Sequence, residues 1–149
     1  MQFGGKVCTL YHRFMKFRLN NGTKIALVVF CFIASVIGFL VRLPSAFRHI
    51  DKELHFGYYF LAAAFLNVLF GIRSLAKHLL IAVVLGLFGV GIEFAQEAYN
   101  KIFHVRFHGR YDPEDVKANL EGLVAFSIVW VVIMLIILAL QAGKKTSAS

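Results

Sequence analysis

An aspartate and a histidine four residues apart, Asp51 and His55, open the most chemically suggestive stretch of the chain. On a helix that spacing stacks both side chains on one face. A carboxylate beside an imidazole is a pairing that general acid–base chemistry uses. Lys52 adjoins them, and Tyr58 and Tyr59 continue the same face one turn on. In a second stretch, Glu93-Phe94-Ala95-Gln96, helical spacing puts Glu93, Gln96 and Asn100 on one face. A third, Asp112-Pro113-Glu114-Asp115, has the form of a helix start. Asp112 suits the N-cap, Pro113 the first helical position and Asp115 the third. Asp115, Asn119 and Gly122 then share a face. In the fourth stretch, His104 to Arg110, every even position is basic. It reads either as an extended segment whose arginines suit phosphate or as a solvated loop. His104 and His108 with acidic partners are a weak metal reading, since no HExxH or repeated Cys/His spacing supports it. Neither a metal nor a cofactor is expected.

The elements that must position these residues are apolar. Of 149 residues, 59% are hydrophobic and only 16% charged, with a mean hydropathy of +0.72. That excludes a disordered chain and departs from an ordinary water-soluble domain. The long uncharged windows are Ile25–Val41, Leu54–Ile72, His78–Ile92 and Gly122–Gly143. A membrane span needs about 17–25 mostly apolar residues, and the third window is short of that. Either it extends from Leu75 to Gln96, with Glu93 facing protein or a wet cavity, or the helix is short and Glu93 lies in the headgroups. The expectation is an all-α polytopic membrane protein, a four-helix transmembrane bundle over residues 25–143. A basic amphipathic segment, 1–24, precedes it and a tail, 144–149, follows. Lys6, Arg13, Lys16 and Arg18 interleave with Val7, Leu10, Tyr11, Phe14 and Phe17 in that first segment, as in a helix lying on a membrane surface. Cys8 and Cys31 do not suit a disulfide, because Cys31 falls within a span.

The net charge of +8 would suggest nucleic acid in a soluble chain. Here it reads as membrane orientation, and no nucleic acid partner is expected. Four spans put both termini on one side, with a net of +9. The other side nets −1 and holds every carboxylate of the chain. The Lys/Arg excess places the termini in the cytoplasm. Walker A, GxGxxG and GxSxG motifs are missing from the sequence. Gly86, Gly89 and Gly91 fall within the third span and read as helix-packing positions.

Antiparallel connection brings the start of the second helix, the end of the third and the start of the fourth to one side. Asp51, Lys52, His55, Glu93, Gln96, Asp115 and Asn119 are therefore expected to meet in one pocket at the outer interface. The alternative is that they only cap helices and pair in the headgroup zone.

These residues carry a resemblance. The chain resembles the VanZ-like family of small bacterial membrane proteins, named for a teicoplanin-resistance protein. The matching pieces are Asp51-Lys52-x-x-His55-Phe56-x-x-Tyr59, then Glu93-x-x-Gln96. Arg110-Tyr111-Asp112-x-x-Asp115-x-x-x-Asn119-x-x-Gly122 completes the series. The loop from Gln96 to Arg110 is longer than the family pattern leads one to expect. Arg110 stands five residues before Asp115 rather than six, and Glu121 occupies a place expected to be small or apolar. Arg106 is thus an alternative carrier of the arginine role. The resemblance implies a four-helix protein of the bacterial cytoplasmic membrane, with a link to glycopeptide or lipoglycopeptide antibiotic tolerance. It implies no defined reaction.

Two functions remain open. In the first, the pocket binds an anionic envelope lipid or lipid-linked precursor and alters access to it. Arg110, Arg106 and Lys52 would meet phosphate, with Tyr59, Gln96, Asp115 and Asn119 lining the site and Glu93 helping to orient the cations. In the second, the chain is a membrane-embedded enzyme acting on a phosphate-containing headgroup. His55, positioned by Asp51, and Glu93, desolvated at the membrane edge, would be its acid and base groups, and Arg110 would stabilise phosphate charge.

Overall fold

A computed structural model of the protein describes residues 19–40, 50–70, 73–104 and 111–146. Its regular structure is helical: α1 (Asn21–Leu40), α2 (Asp51–Phe70), α3 (Leu75–Ile102) and α4 (Pro113–Thr146). All four are long and apolar enough to cross a membrane. The protein is thus the expected all-α, multi-pass chain. Most of the amphipathic N-terminal segment, together with Arg106, His108 and Arg110, lies outside the described residues.

The helices begin where side chains can satisfy their unpaired N–H groups. Asn20 Oδ1 accepts from Thr23 N at 2.7 Å, which starts α1 at Asn21 rather than Ile25. Ser74 Oγ accepts from Lys77 N at 3.4 Å at the head of α3. Asp112 Oδ1 accepts from Glu114 N at 2.9 Å, with Pro113 first in α4, as its sequence predicts. At the far end of α3, His104 takes a left-handed φ of 52° after Phe103, a common way to close a helix. Lys77 turns back to donate its ammonium to the Phe70 carbonyl at 2.9 Å, tying the end of α2 to the start of α3.

The third helix resolves the choice left by hydropathy. It runs through Glu93 to Ile102, and Glu93 is 1% exposed, held against protein. A hydropathy window stops at the first charge, whereas a helix continues through a polar residue that faces a partner.

Residues up to Gly38 form one compact unit and those from Phe39 onward a second. In the second, α2 packs most extensively on α4, and α3 packs on both. Tyr59, Ala63, Leu85, Leu123, Phe126 and Trp130 form the buried apolar core. Where α2 and α4 cross, Gly122 lies directly on the backbone of Phe56 and Phe60; a Cβ there would collide with the Phe56 carbonyl oxygen. Small residues let membrane helices approach this closely, because lipid supplies no hydrophobic force to press them together. We predict that Gly122→Ala lowers stability by about 1–3 kcal/mol or more, the cost of overpacking. Gly57→Ala should be harmless, since nothing lies within 4 Å of its would-be Cβ. Thermal unfolding in detergent, followed by Trp130 fluorescence, measures both; equal behaviour would refute the crossing.

Candidate functional site

Above the Gly122 crossing, the polar residues of α2, α3 and α4 converge. His55 and Asn119 are both buried, and His55 Nδ1 lies 2.9 Å from Asn119 Oδ1. An amide oxygen only accepts, so Nδ1 carries a proton, and in the neutral ring Nε2 then has the lone pair. Asp51 and Asp115 stand beside the histidine. One ligand-capable atom from each of Asp51, His55 and Asp115 lies within 4.8 Å of the others. Glu93 Oε2 accepts from Asp112 N at 3.2 Å, joining α3 to the cap of α4. Its other oxygen, Oε1, is buried with no hydrogen-bond partner among the described residues, and so is the hydroxyl of Tyr59.

Tyr59 and Asn119 occupy the same small space over Gly89. A Cβ at that position would lie 2.8 Å from Asn119 Nδ2 and 2.9 Å from the Tyr59 hydroxyl. The absence of a side chain on Gly89 therefore makes room for two polar groups. The packing role expected of it is met in this form.

Lys52 sits at the rim. Its ammonium lies 2.9 Å from Glu114 Oε2, 3.3 Å from Asp115 Oδ1 and 3.4 Å from Asp112 Oδ2. These contacts join the first turns of α2 and α4. An incoming phosphate must compete with three carboxylates for this cation. Beside it, a cavity of about 430 Å³ is lined by Lys52, Phe56, Glu114, Lys117 and Glu121, among others.

Gln96 is placed otherwise than the pocket reading expects. Its Nε2 donates to the Phe39 carbonyl at 2.8 Å, in the last turn of α1, instead of hydrogen bonding within the cluster. Phe39 reaches the site too: its ring lies 5.2 Å from that of His55 and 4.9 Å from Tyr58. His104 is exposed at the end of α3.

A second buried polar group, formed by residues not among the candidates named from sequence, lies toward the other end of α2. His78 Nδ1 donates to Asn67 Oδ1 at 3.2 Å, and His78 Nε2 meets Ser127 Oγ at 3.1 Å. Asn67 donates to the Ala63 carbonyl at 2.8 Å, and the His78 ring stacks on Trp130 with centroids 4.5 Å apart. The signal was present. Asn67 continues the four-residue stripe of Asp51, His55, Tyr59 and Ala63, a polar residue in an otherwise apolar run. These contacts join α2, α3 and α4 to one another, so the group acts as interhelical glue.

No family model, curated protein or solved structure matches the chain. The reading of the site therefore rests on its geometry.

The two polar groups should respond oppositely to substitution. Tyr59→Phe removes a hydroxyl that has no partner among the described residues and should leave stability unchanged or raised. Asn67→Leu takes the acceptor from His78 and should cost about 1–3 kcal/mol, the penalty for an orphaned buried donor. Thermal melts of the two variants test this; a larger loss for Tyr59→Phe would contradict it.

Proposed function

We propose that this is a VanZ-like multi-pass protein of the bacterial cytoplasmic membrane, with cytoplasmic termini. Its polar cluster lies at the outer interface. There it binds the headgroup of an anionic envelope lipid or lipid-linked precursor and alters access to it. The observation that carries this reading is the convergence of His55, Tyr59, Glu93, Asp115 and Asn119 inside the helix bundle. Two of these residues hold buried polar atoms without partners among the described residues. Burying polar groups among membrane helices is costly, and such groups mark ligand or ion paths. A cavity edged by Lys52, Lys117 and Phe56 lies beside the cluster. Glu53, Glu114 and Glu121 line it too, so a phosphate would take Lys52 and Lys117 from their carboxylates, while Phe56 offers an apolar wall for the first carbons of an acyl or isoprenoid chain. Arg106 and Arg110, from the family-like loop, would add phosphate contacts. By the same resemblance, the cellular consequence would be tolerance of glycopeptide or lipoglycopeptide antibiotics, through reduced exposure of the bound precursor.

The enzyme reading has one specific observation in its favour. His55 is buried between two aspartates, which is a workable acid–base arrangement.

The test is to purify the full chain with envelope lipids and weigh the retained lipid by native mass spectrometry. The wild type should retain a phosphate-bearing lipid above its share of the membrane. Lys52→Glu combined with Lys117→Glu should cut that retention about tenfold, the equivalent of one charge-assisted contact. Retention no different from bulk lipid would overturn the binding reading. Conversion of the lipid, lost in His55→Ala while folding persists, would replace binding with catalysis.

A further inference from the structure

Three acidic side chains and one imidazole crowd a space with little solvent. Asp115 and His55 are buried, Glu93 is 1% exposed, and Asp51 is partly buried. In an apolar surrounding, like charges this close need a counter-charge. Lys52 answers only part of this need. Its ammonium contacts Asp115, but it is shared with Asp112 and Glu114 at the rim. Among the described residues, no ion pair joins a Lys or Arg to Asp51 or Glu93.

We propose that Asp51, His55 and Asp115 bind one divalent cation of the manganese or zinc class, with Glu93 as a nearby buried carboxylate that adds negative charge to the site. Three independent features of the geometry lead there. One ligand atom from each of the first three residues lies within 4.8 Å of the others, a spread that a single ion can span. Asn119 Oδ1 accepts from His55 Nδ1 at 2.9 Å, so in the neutral ring Nε2 is the nitrogen left to ligate. Metal-binding histidines are oriented in this way, by a hydrogen bond from the other ring nitrogen. The third feature is Glu93 Oε1, a buried carboxylate oxygen at the same end of the bundle, with no partner among the described residues. A donor set of one imidazole and two carboxylates, completed by water, suits manganese, and zinc binds such a set more tightly by the general order of affinities. The three residues come from two helices, so an ion here would also clamp α2 to α4 at one end. It would give an acidic cluster a positive centre that can accept a phosphate oxygen.

This inference shares residues with the lipid reading but does not rest on it. Ion binding measured in detergent, without envelope lipid, tests it alone. The full chain is stripped with a chelator, then titrated with Zn²⁺ or with Mn²⁺, and bound metal is counted. One ion per chain is expected, with a rise in the unfolding temperature. His55→Ala and Asp115→Asn should each weaken binding by about a hundredfold or more, and Asn119→Ala by about 10–100-fold, as for loss of an orienting partner. His78→Ala, in the other polar group, should bind as the wild type does. Equal binding by the wild type and by His55→Ala/Asp115→Asn would overturn the proposal, as would no binding at all. Should those variants fail to fold, the wild type alone decides. Electron spin-echo spectra of bound Mn²⁺ should show coupling to an imidazole nitrogen, and its absence would overturn the site.

Discussion

The contact of Gly122 with the backbone of Phe56 sets the geometry of everything around it. Because no Cβ intervenes, α2 and α4 touch at this point. One turn away, His55 and Asn119 are then close enough for a 2.9 Å hydrogen bond. A turn beyond that, Lys52 meets Asp115. Within a membrane, helices gain little from hiding apolar side chains from each other, since lipid is equally apolar. Close packing and hydrogen bonds between helices must supply the association. Gly122 and Gly89 provide the first, and the two buried polar groups provide the second.

The same constraint explains why the site is polar at all. Each buried polar atom in the bundle is expected to find a partner, and most do. The Asn67–His78–Ser127 group is internally bonded. The His55 group is not. Glu93 Oε1 and the Tyr59 hydroxyl stand without partners among the described residues. One polar group therefore reads as structure and the other as a site, on the same physical rule. The distinction depends on satisfaction of hydrogen bonds, not on residue type, since each group contains a histidine and an asparagine.

Much of this was legible in the sequence. Asp112 and Pro113 announced the start of α4, and helical spacing put Asp115, Asn119 and Gly122 on one face. Alternating helix direction alone was enough to bring Asp51, His55, Glu93 and Asp115 to one end. Other features needed coordinates. Gln96 shares a face with Glu93, yet its amide reaches the Phe39 carbonyl, because a long side chain can turn toward a neighbouring helix end. Asn67, His78 and Ser127 were hidden by hydropathy averaging, which counts a buried polar residue as a slightly less apolar window. The extent of α3 was ambiguous for the same reason, and the burial of Glu93 settled it. The tie of Lys52 to three carboxylates was also beyond sequence, since it depends on the rotation of α2 about its axis.

The central claim is that α2 and α4 are locked together through His55 and Asn119 at the head of the buried polar cluster. A double-mutant cycle measures that lock most directly. Unfolding free energies of the wild type, His55→Ala, Asn119→Ala and the double variant would be compared in detergent. The account predicts that the two losses are not additive, with a coupling of about 0.5–3 kcal/mol, as for residues in direct contact. Additive losses would contradict it, since they would mean that the two side chains do not meet.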